Sequence, residues 1–225
     1  MFRDRLLFLD LGLIDYVVCH TLMLELVEKR AAGQIDDTIL LLEHNDVYTL
    51  GRRGSEENVF VKSIPVYRVE RGGDATYHGP GQLVAYPIIS LNELGVGVAD
   101  FVHIVEEAVI KVLSDFGIMG ERVERKPGVW VGGRKVASVG MAVKNWVTYH
   151  GVALNVNTDL AKFNGIKPCG MEAQIMTSMA AILGKNVDMA AVKKRFVTRF
   201  AELLEKEPEY AIYAVAETRD AAKVI

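Results

Sequence analysis

The sequence predicts an α/β (α+β) fold in a single domain, and three observations support this class. The chain has 225 residues, of which 50% are hydrophobic and 8% aromatic, enough to fill one core. Apolar runs of strand length alternate with apolar residues at helical spacing along most of the chain. We find no internal repeat, low-complexity tract or Ser/Pro-rich linker that would divide it. We therefore expect one domain over residues 1–225, with a helix and tail at 188–225.

In the first half of the chain, short strand patterns surround one helix. The helix should follow Asp15, a good N-cap residue, and end at Gly33, with Val18, Leu22 and Leu26 on one face. Residues 44–81 are rich in glycine and arginine, and a single short strand stands out there. The predicted strands are residues 5–11, 38–43, 66–69 and 82–89.

Pro87 lies inside the last of these strands. Proline has no backbone N–H to donate to a neighbouring strand. We therefore expect the strand at 82–89 to lie at the edge of a sheet or to end early.

The second half contains the most regular helix pattern, at residues 100–116, where eight apolar residues fit the i, i+3, i+4, i+7 spacing. Gly132 and Gly133 can adopt the positive φ of a tight turn, and so predict a hairpin between strands at 129–131 and 134–143. A further strand is predicted at 148–156, and helices at 176–183 and 188–205. Residues after 207 show no pattern that predicts an element.

The charge balance and the N-terminus narrow the class of protein. With 26 basic and 29 acidic residues the net charge is −3, which does not indicate a nucleic-acid-binding protein. The sequence shows neither a signal peptide nor a run of about 18 apolar residues, so we expect a soluble, cytoplasmic protein. A local basic patch could still form from Arg52, Arg53, Arg68, Arg71, Arg122, Arg125 and Lys126.

The segment from Arg71 to Gln82 contains four glycines. So much glycine indicates a backbone that adopts positive φ or approaches a ligand closely. N–H groups in such a segment can bind an oxyanion or a carboxylate. The alternative is a turn-rich surface loop. A phosphate-binding P-loop is excluded, because the chain has no Gly-x4-Gly-Lys-Ser/Thr sequence.

Lys135 heads a strand whose other residues on the same face are apolar, among them Ala137 and Val139. Partial burial would lower the pKa of such a lysine. Alternatively, Lys135 begins the strand beside the turn and extends into water. The opposite face, with Ser138 and Gly140, is small enough for another chain or a ligand to lie close.

His150 falls in the strand predicted at 148–156, where alternation places it with Val152 and Leu154. A single histidine on an apolar face is more often a hydrogen-bonded core residue than a catalyst. Gly151 and Ala153 lie on the other face, and their small size again leaves room for another chain or a ligand.

The two cysteines differ in their surroundings. Cys169 lies in Lys-Pro-Cys-Gly, a loop just before a helix, whereas Cys19 lies within the first predicted helix. A thiol on a rigid loop near a cation has what a nucleophile needs, because the reactive species is the thiolate. Cys19 is predicted to be a packing residue. Without metal-ligand spacing, both thiols are expected to be free.

Four motifs together resemble the lipoyl(octanoyl) transferase family in order and approximate spacing, over about residues 5–185. They are Arg71-Gly-Gly-Asp-Ala-Thr-Tyr-His-Gly-Pro-Gly-Gln-Leu, Gly-Arg-Lys135-Val-Ala, Tyr-His-Gly151-Val-Ala-Leu-Asn-Val-Asn and Lys-Pro-Cys169-Gly. Asp74 and Ser138 stand at positions where the family has more than one residue. The residues after about 207 add nothing to the resemblance.

The resemblance implies a fold like that of biotin and lipoate ligase catalytic domains, a mixed sheet flanked by helices. It implies a catalytic dyad of Cys169 and Lys135. The dyad would move an octanoyl group from octanoyl-acyl carrier protein to a lysine of a lipoyl domain through an acyl-thioester on Cys169, with no ATP or metal. Acceptors would be the lipoyl domains of 2-oxoacid dehydrogenase complexes and the glycine cleavage H protein. The residues expected to bind substrate are Arg71, Gly72, Gly73, Asp74, Ala75, Thr76, Tyr77, His78, Ser138, Val139, Gly140, Gly151, Val152 and Ala153.

Three other functions are compatible with parts of the pattern. An ATP-dependent lipoate or biotin ligase would share the fold, but it needs no nucleophilic cysteine, so Cys169 argues against it. A non-catalytic module that only holds acyl carrier protein would leave Cys169 with ordinary thiol reactivity. A metal site of His78, His150 and Cys169 fits no known ligand spacing.

Overall fold

The computed structural model describes residues 5–168 and 172–213. Its main feature is an eight-stranded sheet in the order β11-β1-β2-β6-β10-β9-β8-β7, beside a three-stranded sheet in the order β4-β3-β5. The strands are β1 (Arg5–Ile14), β2 (Thr38–His44), β3 (Val47–Leu50), β4 (Val66–Arg68), β5 (Ala75–His78), β6 (Gln82–Ile88), β7 (Glu121–Val123), β8 (Lys126–Val131), β9 (Arg134–Lys144), β10 (Val147–Asn155) and β11 (Glu207–Ile212). The helices are α1 (Tyr16–Ala31), α2 (Leu91–Leu94), α3 (Val98–Asp115), α4 (Met179–Leu183) and α5 (Met189–Leu204).

The large sheet is mixed and carries helices on both faces, as predicted. β1 is parallel to β11 and to β2, whereas the other neighbouring strands are antiparallel. Apolar residues of α3 and α5, such as Phe101 and Phe200, fill the core on one face. Residues of α1, such as Met23 and Leu26, fill a second core on the other face. No helix in the described part of the chain is long and apolar enough to cross a membrane.

The first helix begins where predicted, but its buried face differs. The Asp15 carboxylate accepts hydrogen bonds from the backbone N–H groups of Val17 and Val18, which caps α1. Val18, predicted to be buried, is exposed because the helical period instead turns Cys19, Leu22 and Met23 inward. Cys19 is a free, fully buried thiol, and burial raises its pKa, which confirms its predicted packing role.

Pro87 does not place its strand at an edge. β6 lies in the middle of the sheet, between β2 and β10, and Pro87 is opposite Ile39 of β2. The prediction of an edge strand is therefore wrong, although β6 does end one residue later, at Ile88. The hydroxyl of Thr148 on β10 donates to the Pro87 carbonyl at 2.7 Å and accepts from the N–H of Ile89 at 3.1 Å. This side chain supplies hydrogen bonds at the place where the strand ends.

Four strands were missing from the sequence prediction, namely β3, β5, β7 and β11. β3 and β5 form the small sheet with β4, so the glycine-rich segment at 71–82 contains a strand. β11 lies after α5 and pairs in parallel with β1. The predicted hairpin is confirmed: β8 and β9 are joined by Gly132 and Gly133, which have φ of 55° and 78°.

Candidate active site

A narrow cavity of about 40 Å³ lies between the glycine-rich segment and strands β9 and β10. We call it the inner pocket. Its lining is mostly apolar or small, and comes from four parts of the chain that are distant in sequence. The lining residues are Tyr16, Arg71, Gly72, Gly73, Thr76, His78, Tyr86, Ser138, Val139, Gly140, His150, Gly151, Val152 and Ala153.

Eleven of the fourteen residues predicted to bind substrate line this cavity. Asp74 lies at a second, wider pocket described below. Ala75 and Tyr77 point instead into a separate core cluster around Tyr48 and Phe163, because alternate residues of β5 face opposite ways. The structure thus gathers the three predicted segments in one place, and their role in binding stays a prediction.

The sequence analysis missed Tyr16, Tyr86 and the orientation of His150. The φ of His150 is 55°, a conformation that breaks strand alternation. Its ring therefore lies near Tyr86 and Tyr149, on the sheet face that packs against α1, and not with Val152 and Leu154 as predicted. Tyr16 lies on α1 and Tyr86 on β6, where the sequence pattern is that of ordinary core residues. They reach the pocket only because of the way in which α1 and β6 pack.

Burial favours the neutral forms of four histidine and tyrosine side chains in or beside the wall of the inner pocket. Burial lowers the pKa of His44 to about 4 and the pKa of His78 well below its usual range. Burial also raises the pKa values of Tyr16 and Tyr86. His44 Nδ1 lies 3.0 Å from the Ile14 carbonyl and must donate to it, so Nε2 accepts from the Tyr86 hydroxyl at 3.0 Å. The pocket wall thus combines neutral rings with one charged side chain, that of Arg71.

The neutral state of His44 predicts a loss of stability in acid. In the unfolded chain this histidine binds a proton near pH 6.5, whereas in the folded protein it does so near pH 4. The unfolded state therefore binds more protons between these values, and stability falls as the pH drops through them. The shift corresponds to about 3 kcal/mol. Urea unfolding measured near neutral pH and near pH 4 should show the loss.

A His44→Asn variant provides the control for this prediction, because asparagine can donate to the Ile14 carbonyl but does not titrate. The pH dependence of its unfolding free energy should be smaller than that of the wild type. An equally steep dependence in both proteins would show that His44 is not the group responsible.

The glycine-rich segment packs directly on β9 and is not a surface loop. The Gly72 N–H donates to the Met141 carbonyl at 3.0 Å. A Cβ atom on Gly140 would lie 3.1 Å from the Gly72 carbonyl oxygen, closer than most real Cβ contacts. Gly73 has a φ of 86°, which L-residues with side chains rarely adopt. Small residues on both segments thus permit the close approach that forms the pocket wall.

Gly73→Val should lower transfer activity at least ~10-fold, equivalent to ~1.4 kcal/mol. The added side chain would stand at the pocket, near the Arg71 guanidinium, which lies 3.4 Å from the Cβ position. Gly33→Val is a matched control, because Gly33 also has a positive φ. It lies far from the pocket residues in sequence, and no atom lies within 4 Å of its Cβ position. Both variants should lose similar stability, about 1–2 kcal/mol, measured by thermal unfolding. Equal loss of activity in both would contradict a specific role for Gly73.

A wider pocket of about 630 Å³ continues from the inner pocket, with which it shares Gly72, Gly73, Val139 and Gly140. We call it the outer pocket. Lys135 lies in its wall and is 3% exposed, so the alternative in which this lysine extends into water is wrong. Its ammonium lies 5.5 Å from the centre of the Trp130 ring, within range of a cation–π contact. The lysine is therefore a buried cation in the wall of the outer pocket.

Gly128 makes room for the Lys135 side chain. Its φ is 122°, and a Cβ there would lie 2.5 Å from Lys135 Cε and 2.3 Å from the Ala137 carbonyl oxygen. The buried carboxylate of Glu106 on α3 accepts from the Gly128 N–H at 2.8 Å and holds this part of β8 in place. The register of β8 against β9 also shifts between Val129 and Trp130. Glycine at this position is required by the close approach of the lysine.

Cys169 lies outside the described residues, so its predicted partnership with Lys135 stays a prediction. The chain on both sides of it is tied to the outer pocket. Before it, the Lys167 N–H donates to the Asn58 carbonyl at 2.9 Å, and the Asn58 amide donates to Asp74 of the outer pocket. After it, the Thr177 N–H donates to the Lys135 carbonyl at 2.9 Å.

A chain of buried hydrogen bonds links the inner pocket to the Lys135 strand. His78 Nδ1 contacts Gln82 Oε1 at 2.8 Å, and the Gln82 amide donates to Asn155 Oδ1 at 2.9 Å. The Asn155 amide donates to the Thr177 carbonyl at 2.9 Å, and Thr177 is bonded to Lys135 as described. An unpaired buried polar group lowers stability, so these groups stay hydrogen-bonded. The series of hydrogen bonds therefore fixes the relative positions of the two pockets.

Of the residues proposed for a basic patch, three lie together. Arg53, Arg125 and Lys126 are exposed and line the outer pocket. Arg71 is buried and donates to the carbonyls of Thr49 and Gly72, so it is not part of an exposed basic patch. The outer pocket consequently has a positively charged rim.

Comparison with known protein families matches residues 15–201 to the lipoyl protein ligase A/B catalytic domain. The chain is 47% identical over 206 residues to an octanoyltransferase of Syntrophobacter fumaroxidans, covering 88% of this chain and 90% of that protein. It is also 47% identical over 197 residues to a probable octanoyltransferase of Pyrobaculum calidifontis, covering 88% of this chain and 84% of that protein.

Solved structures agree on the fold. A crystal structure of lipoate-protein ligase A bound with ATP superposes with a TM-score of 0.72 at 17% identity, covering 95% of this chain and 90% of that one. Biotin protein ligase from Aquifex aeolicus in complex with biotin and ATP superposes with a TM-score of 0.53 at 15% identity, covering 89% and 70%. Because the family match spans most of the sequence and the relatives are matched almost end to end, this chain belongs to the lipoyl protein ligase A/B catalytic-domain family.

Proposed function

We propose that this chain transfers an octanoyl group from octanoyl-acyl carrier protein to a lysine of lipoyl domains, the first step of endogenous protein lipoylation. The observation that carries the proposal is a buried lysine in the wall of a wide pocket that adjoins a narrow one, in a chain 47% identical to an octanoyltransferase. The alkyl chain would lie in the outer pocket with its end toward the inner pocket, and its burial contributes ~0.8 kcal/mol per methylene. The wide pocket would admit the donor and then the acceptor.

In the first half-reaction, the Cys169 thiolate attacks the carbonyl carbon of the octanoyl thioester. A bond forms from this carbon to the Cys169 sulfur, and the bond to the carrier's sulfur breaks. Lys135 stabilises the thiolate or accepts the thiol proton, and the departing carrier thiolate takes a proton. Backbone N–H groups of the glycine-rich segment stabilise the negative charge on the carbonyl oxygen in the tetrahedral intermediate.

In the second half-reaction, the ε-amine of the acceptor lysine attacks the acyl-Cys169. A C–N bond forms, the C–S bond breaks, and the thiolate is regenerated. The amine loses a proton, which Lys135 or a group near it accepts. Because the incoming thioester is already activated, the reaction requires no ATP. The whole of residues 1–225 would then act as one catalytic domain.

The positive rim of the outer pocket fits an acidic surface on the donor protein. The double substitution Arg53→Glu and Arg125→Glu should raise the KM for octanoyl-acyl carrier protein at least ~10-fold, by charge repulsion at encounter. The KM for a small, uncharged octanoyl thioester should change little, because that donor carries no acidic surface that the new carboxylates would repel. Similar changes for both donors would contradict a carrier-binding role for the rim.

The test of the proposed reaction is transfer in a mixture of octanoyl-acyl carrier protein, lipoyl domain and this protein, without nucleotide. The intact mass of the lipoyl domain should increase by one octanoyl group. Failure of transfer without ATP, together with isotopic ATP–pyrophosphate exchange when octanoate is supplied, would identify an ATP-dependent ligase instead. Tight binding of the carrier protein with no acyl transfer to any protein would identify a non-catalytic module.

A further inference from the structure

One group of potential metal ligands, His20, Glu70 and His150, lies behind the inner pocket and has no part in the mechanism above. One ligand atom from each residue can be chosen so that all three lie within 4.8 Å of one another. His20 comes from α1, Glu70 from the start of the loop after β4, and His150 from β10. Three elements distant in sequence thus bring two imidazoles and one carboxylate to a single point.

The distances in this group fit the spacing of ligands around a small cation. His20 Nε2 lies 3.0 Å from Glu70 Oε2, and His150 Nε2 lies 3.4 Å from the same oxygen. Ligand atoms of a tetrahedral Zn²⁺ site, at ~2.0–2.1 Å from the ion, are about 3.3–3.4 Å apart. The same contacts serve as hydrogen bonds without an ion. His20 and Glu70 are partly exposed, so a change of rotamer can bring the two imidazoles closer and an ion can enter from solvent.

The backbone and the neighbouring rings orient the group. Positive φ at His150 turns its imidazole off the regular strand direction and toward Glu70. Such strained conformations of residues other than glycine are concentrated at functional sites. The ring of Tyr16 stacks on His20, with centroids 6.0 Å apart and planes inclined by 17°. Because Tyr16 and His150 both line the inner pocket, the group stands directly behind the pocket wall.

We propose that His20, Glu70 and His150 form a binding site for one divalent transition-metal ion of the Zn²⁺ class, with the remaining coordination position open to water. Two histidines and one glutamate are a known three-residue ligand set for zinc. Transition-metal ions that prefer nitrogen and carboxylate ligands, such as Co²⁺, should occupy the same site. Lys135 is not among these ligands, and binding does not depend on the proposed acyl transfer.

Titration of the full chain with Co²⁺, followed by its visible absorption, tests the proposal. The starting protein is the Cys169→Ser variant, because the substitution removes a thiol that could bind the metal elsewhere. One Co²⁺ per chain should bind with the intense spectrum of a tetrahedral site, and Zn²⁺ should displace it. His20→Ala and Glu70→Gln, each made in that background, should each weaken binding at least ~10-fold, since each removes or neutralises a ligand.

His103→Ala in the same background is the matched control. His103 pairs with Glu106 at 3.2 Å and its side chain is exposed, so it offers a histidine–carboxylate pair that has no third ligand among the described residues. This variant should bind Co²⁺ as the starting protein does, and circular dichroism should show that all variants are folded. The absence of saturable Co²⁺ binding, or unchanged affinity in either His20→Ala or Glu70→Gln, would overturn the proposal. The measurement uses no acyl donor, so its result is independent of the proposed reaction.

Discussion

Replacing Cys169 with serine should abolish formation of an acyl-enzyme. When the wild-type protein is incubated with octanoyl-acyl carrier protein, intact mass should show one added octanoyl group that hydroxylamine removes. A serine hydroxyl is not ionised near neutral pH and has no comparable nucleophilicity, so the variant should show no adduct. Overall transfer should fall on the order of 10³-fold or more, as for the loss of other catalytic nucleophiles.

Cys19→Ala is the control for this experiment. Cys19 is the other cysteine of the chain, and it is fully buried in the core between α1 and the sheet. Alanine is preferable to serine here because a buried hydroxyl without a partner would destabilise the fold. This variant should form the adduct as the wild type does. An adduct of unaltered yield in the Cys169 variant would mean that the acyl group is carried by another residue.

Replacing Lys135 with methionine should slow both alkylation of Cys169 and acyl transfer. If the ammonium stabilises the thiolate, its removal raises the pKa of the thiol, because an opposite charge has gone. Iodoacetamide should then react more slowly at neutral pH and recover its rate in alkali, where the thiolate forms in any case. The alkylation rate measured against pH gives the thiol pKa directly. Methionine has a similar length and retains the packing against Trp130.

Two further variants separate the roles that Lys135 could have. Lys126→Met removes a second cation from the same ring, at 5.6 Å from the Trp130 centre, and should leave the thiol pKa nearly unchanged because Lys126 is exposed and screened. Lys135→Arg keeps the charge but cannot readily accept a proton. Normal alkylation with failed transfer would assign Lys135 as a general base. If Lys135→Met alkylates and transfers like the wild type, the dyad is wrong.

Local patterns were sufficient for the elements whose burial is one-sided. The helical spacing at 100–116 and 188–205 matches α3 and α5 within two residues at each end, because an amphipathic helix needs only one apolar face. Gly132 and Gly133 predicted the β8–β9 hairpin, since that turn needs positive φ at two consecutive positions. The glycine-rich segment was correctly distinguished from an ordinary loop, but its strand β5 was missed among the glycines.

Positions in the sheet could not be predicted because they depend on partners distant in sequence. β6 is central although it contains Pro87, since Thr148 of β10 provides hydrogen bonds where the strand ends. β11 has no pattern of its own: its residues are exposed, and its strand conformation comes from pairing with β1 at the other end of the chain. In both cases the deciding hydrogen bonds join segments at least 59 residues apart.

The sequence by itself determined the fold class, the family and most of the residues gathered at the inner pocket, because glycine, proline and cysteine motifs impose local chemistry wherever they occur. Tertiary structure alone decided that Lys135 is buried, since this requires the missing side chain of Gly128 on the neighbouring strand. It also decided that His150 faces Glu70 and His20. The positive φ of His150 reverses the direction of its side chain, but the apolar and polar alternation of the neighbouring residues does not reveal this. The partners of the side chain are then determined by the packing of α1, β10 and the loop before the glycines.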